Sequence, residues 1–266
     1  TRSMGRLLVA SWDSHARLDW SAASARASSA GMIFFRLRVL TVFSSLVAAA
    51  QLGVDAIEFD VHPTRDGQLV VTHDATLERC SNGHGRVRDM SLAELRELDF
   101  GSWKNSAFAG ARIPTLEEAI EAILAVRPGM FLLVELKDAS EDVALQVLDY
   151  LRRRELMSQV MALSFHTRLM KLYRELEPTL PLQGFPDRYV KEPLPDAYDI
   201  INKTCIWTNE ITAEEVAFFH ARDIAVDVCP VDNAEALDKV LPCGMDSITT
   251  NAANVILPIL KQRGLR

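Results

Sequence analysis

Cysteine is scarce in this chain, and its scatter matters more than its number. Cys80, Cys205, Cys229 and Cys243 are spread through 266 residues with no CxxC spacing. That pattern argues against a zinc site and a disulfide framework, and free thiols in a reducing compartment are the simpler reading. Positive charge is also short. Lys and Arg number 29 against 36 Asp and Glu, a formal net charge of −7, and a nucleic-acid-binding surface would be basic. There is no glycine-rich nucleotide loop, no repeat of fixed period and no low-complexity linker apart from the Ser/Ala-rich stretch Ser21–Ala30. What remains is 48% hydrophobic and 24% charged, the balance of an ordinary soluble globular protein. The length suits one large α/β domain or two small ones and is enough to bury a sizeable core.

A long uninterrupted apolar run is missing too. The nearest approach, Met32–Ala50, reads MIFFRLRVLTVFSSLVAAA. It is short for a membrane span and carries Arg36 and Arg38, so no stable membrane insertion is expected. Two arginines ahead of an apolar stretch and small residues resemble a signal segment, which would mean export. Its position well inside the sequence weakens that reading. A buried amphipathic helix ending at Gly53 is the preferred alternative, in a cytoplasmic protein.

From residue 53 onward, strand-like and helix-like segments alternate. Candidate strands are Asp55–Val61, Leu69–His73, Met130–Leu136, Val160–Phe165, Leu182–Phe185, Ile200–Ile206, Ala225–Cys229 and Ser247–Thr249, with Leu7–Ala10 as an earlier one. Ser91 with Glu94, Thr115 with Glu118 and Thr212 with Glu215 have capping-box spacing for the helices between them. Alternation of this kind implies a parallel sheet with right-handed crossovers. Eight or nine strands without a glycine-rich loop favour a closed (β/α)8 TIM barrel over a doubly wound sheet. One candidate is therefore surplus. Residues 1–266 are expected to form a single domain.

The chemistry concentrates at strand ends. In Ile57-Glu58-Phe59-Asp60-Val61, residues two apart face one side, so Glu58 and Asp60 point together. Paired carboxylates repel unless a positive charge sits between them, and a hard divalent cation prefers oxygen ligands. The bland alternative is two solvated carboxylates on an edge strand. Glu135, after the apolar run Leu132-Leu133-Val134, is a third candidate ligand. Lys137, two residues on, would face the same barrel mouth and neutralise an anionic substrate. His73 follows Val70-Val71-Thr72. A lone histidine there is more often structural, but beside carboxylates it becomes a candidate general acid or base. His62 shares the parity of Glu58 and Asp60 and ranks below His73, because Pro63 suggests that the strand has ended. His166 is a weaker substrate-contact candidate, His84 reads as solvated on a turn, and His220 as structural. Acidic ligands with a cation, a histidine and a lysine fit phosphoryl-ester hydrolysis.

At this point the chain resembles the glycerophosphodiester phosphodiesterase family, over roughly residues 45–255. The resemblance rests on Leu52-Gly53-Val54-Asp55-Ala56-Ile57-Glu58-Phe59-Asp60-Val61, Thr64-Arg65-Asp66-Gly67 and Val70-Val71-Thr72-His73-Asp74. Thr76-Leu77-Glu78-Arg79, Asn82-Gly83, Ile113-Pro114-Thr115-Leu116-Glu117-Glu118, Val134-Glu135-Leu136-Lys137 and Ser164-Phe165 follow in order. It implies a TIM barrel that hydrolyses small-molecule glycerophosphodiesters to an alcohol and glycerol phosphate. It also implies magnesium or calcium on Glu58, Asp60 and Glu135, acid/base work for His73, and a substrate contact for Lys137.

Two regions depart from the family pattern. The family's first strand runs into His-Arg-Gly and then Glu-Asn. Here Leu7-Leu8-Val9-Ala10-Ser11 leads into Trp12-Asp13-Ser14-His15-Ala16-Arg17, and no Glu-Asn follows. His15 and Arg17 are the nearby residues of the right types, at the wrong spacing, and stand as candidates for the second acid/base group and the phosphate contact. Residues 11–44 are thus divergent, giving an irregular first βα unit, or were read in a wrong frame. Near the other end, Cys229-Pro230 stands where the family usually has an aromatic wall, with Trp207 as the residue to fill the space. Two other readings accompany the enzyme: a catalytically impaired member that binds a phosphodiester or phosphate without turnover, and a phosphodiesterase acting on lysophospholipids.

Overall fold

Among the described residues, eight parallel strands close into a ring. The computed structural model describes residues 32–36 and 42–266. In chain order the strands are β1 (Met32–Arg36), β2 (Ala56–Pro63), β3 (Leu69–Val71), β4 (Phe131–Leu136), β5 (Val160–Leu163), β6 (Leu182–Gly184), β7 (Lys203–Trp207), β8 (Ala225–Cys229) and β9 (Ser247–Thr250). The sheet order β1-β9-β8-β7-β6-β5-β4-β2 is closed by a further pairing of β1 with β2. Helices 42–52, 116–126, 141–153, 167–176, 197–200, 213–220 and 234–240 connect successive staves, and 253–262 follows the last. This is the TIM barrel expected from the alternation of elements.

The surplus strand and the missing one have specific identities. β3 pairs antiparallel with β2, setting Val61 opposite Val71 and His62 opposite Val70, so it lies outside the ring. The eighth stave is β1, which pairs with β2 (Phe35 with Ile57) and with β9 (Phe34 with Thr249). This corrects the reading of Met32–Ala50 as one helix: a strand occupies 32–36 and the helix begins at Val42. A short apolar run does not distinguish a buried strand from a buried helix by periodicity. Both pieces are built into the barrel. No helix among the described residues is long and apolar enough to cross a membrane. The candidate strand Leu7–Ala10 lies outside the described residues.

Alternation along the staves divides the core into layers. Ile57, Phe59 and Val61 join the layer between sheet and helices, with Leu46, Ala49, Ile120, Ile123 and Val134. Ala56, Leu133, Met161, Leu163, Phe185, Cys205 and Cys229 fill the barrel interior. Lower in that interior, Asp227 is 3.3 Å from the Lys203 ammonium and accepts from Thr249 Oγ1 at 2.7 Å and from Ser247 Oγ. All four residues are buried, so the charges are paired and hydrogen-bonded as burial demands.

The connection from β3 to helix 116–126 forms a side lobe. Gly67, at φ +74°, takes the left-handed position in the β2–β3 turn that a side chain would strain. Beyond β3 the chain folds over a separate cluster of Val70, Leu77, Val87, Leu95, Phe100 and Ile113. Ser91 with Glu94 and Thr115 with Glu118 form the expected capping boxes. Thr212 accepts from Glu215 N–H, but the Glu215 carboxylate is turned to Arg188.

Candidate active site

β2 and β4 bring the predicted carboxylates together. Their register sets Asp60 beside Glu135 and Glu58 beside Leu133. Glu58, Asp60 and Glu135 are 3%, 2% and 1% exposed. One oxygen from each lies within 4.8 Å of the others. Oxygens bound to a single calcium or magnesium ion are separated by no more than about 4–5 Å, so the group has the chemistry and the spacing of a hard-cation site. At 4.8 Å and an effective dielectric of about 20, each carboxylate pair repels by roughly 3 kcal/mol. That exceeds what one neutral hydrogen bond returns, about 1 kcal/mol, so holding all three carboxylates ionised calls for nearby positive charge.

Lys137 supplies part of it. It follows β4 directly, and its Nζ lies 3.0 Å from Asp60 Oδ1 and bonds Glu135 Oε1. Its backbone N–H donates to Val61 O at 3.4 Å. The ammonium also sits 5.8 Å from the Phe165 ring centroid. Glu58, Asp60, Glu135 and Lys137 thus form one cluster at the carboxyl ends of β2 and β4.

His73 lies just past β3, where Thr72 N–H donates to Asp60 O at 3.1 Å. Its Nδ1 is 2.6 Å from Asp74 Oδ1. His62 is buried, and burial holds its imidazole below the ordinary histidine range. Its Nε2–H donates to His73 O at 3.4 Å, so it supports the backbone of His73. His166 Nε2 similarly contacts Lys137 O at 3.3 Å. His84 is exposed, and His220 pairs with Asp246 at 2.8 Å. His15 and Arg17 lie outside the described residues.

An aromatic wall stands at the ends of β5, β6 and β7. Phe165 and Phe185 stack at 3.6 Å, and Trp207 lies 6.4 Å from each and 5.1 Å from Tyr189. Register places Trp207 next to Cys229, so the tryptophan of one stave flanks the position where its neighbour has no ring. Asp74 and Arg79 are the polar residues at the mouth that sequence reasoning missed. Their signal was available only as a carboxylate directly after His73 and a guanidinium five residues later. The four cysteines are free.

Comparison with known proteins gives a consistent picture. The model of the "Glycerophosphoryl diester phosphodiesterase family" matches residues 43–255. A glycerophosphodiester phosphodiesterase of Caldanaerobacter subterraneus is 27% identical over 226 residues, covering 81% of this chain and 90% of the relative. The Bacillus subtilis protein YhdW is 38% identical over 135 residues, covering 50% of this chain and 54% of YhdW. The chain therefore matches about half the length of that relative. Among solved structures, an Oleispira antarctica phosphodiesterase in complex with the product sn-glycerol-3-phosphate superposes with a TM-score of 0.74 at 25% identity, covering 86% of this chain and 97% of that one.

Proposed function

The chain belongs to the glycerophosphoryl diester phosphodiesterase family, and from that membership we propose that it hydrolyses glycerophosphodiesters to an alcohol and glycerol phosphate. The observation that carries the proposal is the buried group of three carboxylates at the mouth of the barrel, the end where TIM barrels hold their active sites. Glu58, Asp60 and Glu135 would hold magnesium or calcium. When bound, such a cation supplies positive charge against the phosphoryl oxygens.

The chain's own groups do the remainder. Lys137, beside Asp60 and Glu135, binds a non-bridging phosphoryl oxygen of the substrate as a compact point charge. His73 gives a proton to the departing alkoxide as the phosphorus–oxygen bond breaks. Phe165 and Trp207, both partly exposed, offer apolar faces beside the charged cluster to the carbon skeleton of the substrate. The Oleispira antarctica complex with sn-glycerol-3-phosphate supports a small polyol phosphate as the product.

Purified protein incubated with glycerophosphocholine and a divalent cation tests this directly. Choline and glycerol phosphate should appear in equal amounts. Phosphocholine and glycerol, or no products at all, would overturn the proposal.

A further inference from the structure

His73 is gripped through one ring nitrogen. Its Nδ1 lies 2.6 Å from Asp74 Oδ1. Asp74 is clamped in turn by Arg79, with Nε 2.5 Å from Oδ2 and Nη2 2.8 Å from Oδ1. A two-bond guanidinium–carboxylate fork fixes orientation as well as charge. Those bonds from Arg79 hold the Asp74 carboxyl well below the usual carboxylate range, so it is ionised at neutral pH. An ionised carboxylate only accepts, and a contact of 2.6 Å therefore requires the proton to sit on Nδ1. Arg79 Nη2 is also 3.4 Å from that nitrogen, but both atoms are then donors, and the bond to Asp74 is the shorter. The nitrogen that trades a proton with substrate is consequently Nε2.

The clamp is itself anchored. Val87 N–H donates to Ala75 O, and Leu77 N–H to Gly85 O, each at 3.0 Å. The loop carrying Arg79 is thereby folded back onto the side lobe, with Leu77 fully buried in it. The Arg79 guanidinium lies 5.9 Å from the Trp103 ring centroid, within cation–π range. From the barrel side, His62 holds the carbonyl of His73.

The geometry points to Asp74 and Arg79 as positioning residues for the reaction proposed above: Arg79 fixes Asp74, and Asp74 fixes His73 so that its Nε2 delivers the proton to the leaving alcohol. This rests on the reading of His73 as the general acid. In that step a water oxygen bonds to phosphorus and the bond from phosphorus to the alcohol oxygen breaks. The bonding pair stays on the alcohol oxygen, which takes the Nε2 proton. The attacking water loses a proton to solvent, and solvent later reprotonates the neutral imidazole. Asparagine at position 74 can donate to Nδ1 and so select the wrong tautomer, as the serine-protease precedent illustrates.

The test compares two glycerophosphodiesters, one releasing choline and one releasing p-nitrophenol, whose anion departs without needing a proton. Asp74→Asn should lower kcat on the choline ester by about a hundredfold or more, the usual worth of general acid catalysis, and on the p-nitrophenyl ester by less than about fivefold. Arg79→Lys, which keeps the charge and loses the fork, should show the same substrate-dependent split to a smaller degree. It also serves as the second variant should Asp74→Asn fail to fold. Equal losses on both esters, or full kcat retained on the choline ester, would overturn the proposal. His73→Ala separates the two levels. If it leaves the choline ester reaction unchanged, the general-acid reading itself fails. If it shows the split and the Asp74 and Arg79 variants do not, the positioning role alone fails.

Discussion

Lys137 stands at the barrel mouth beside two of the three carboxylates. As a countercharge it bonds Asp60 and Glu135, and in the proposed reaction it would also hold a phosphoryl oxygen of the substrate. A hydrogen bond to a charged group is worth about 1.5–3 kcal/mol, so Lys137→Met should lower kcat/KM by roughly 10- to 100-fold. Steady-state kinetics on glycerophosphocholine checks this, and an unchanged kcat/KM would remove Lys137 from the site. At this scale Glu58, Asp60 and Glu135 are legible in the sequence, because strand parity says which side chains share a face. Asp74 and Arg79 are not. They sit in a loop, where spacing carries no directional meaning, and only the fold of the side lobe brings the guanidinium back to the carboxylate.

The elements obey local rules where their signals are local. The Thr115–Glu118 capping box starts helix 116–126, whose Leu116, Ala119, Ile120 and Ile123 bury one face against the barrel. Thr115→Ala removes the bond to Glu118 N–H and should cost about 1 kcal/mol, measured as a lower midpoint in urea with an unchanged slope. A midpoint equal to that of the parent would show the cap to be idle. β1 and β3 show where local signals fail. Both are short and apolar, and their roles depend on partners far away in the chain: β9 and β2 recruit Met32–Arg36 as a stave, while the tight turn after Pro63 folds Leu69–Val71 back outside the ring. Periodicity within a segment holds neither fact. The alternation of the other elements was enough to specify a barrel, because parallel strands require crossovers and crossovers bury both faces of the sheet.

For the whole molecule, the parallel pairing of β2 with β4 brings Glu135 to Glu58 and Asp60, which are about 75 residues earlier in the chain. Asp60 and Glu135 meet only because β2 and β4 are neighbours, with β3 and the side lobe looped out between them. A cation bound there would tie those staves together, and in the proposed reaction it should stabilise the folded barrel as well as enable hydrolysis. At a concentration about a hundred times its dissociation constant the gain is roughly 2.7 kcal/mol, a rise of several degrees in Tm. The most direct measurement strips the protein with EDTA and restores magnesium or calcium stepwise, following glycerophosphocholine hydrolysis and Tm together in the parent and in Glu58→Ala. Both signals should rise in parallel in the parent, and neither should rise in Glu58→Ala. Hydrolysis that survives EDTA, or a Glu58→Ala variant with the turnover of the parent, would rule out a catalytic cation on these carboxylates.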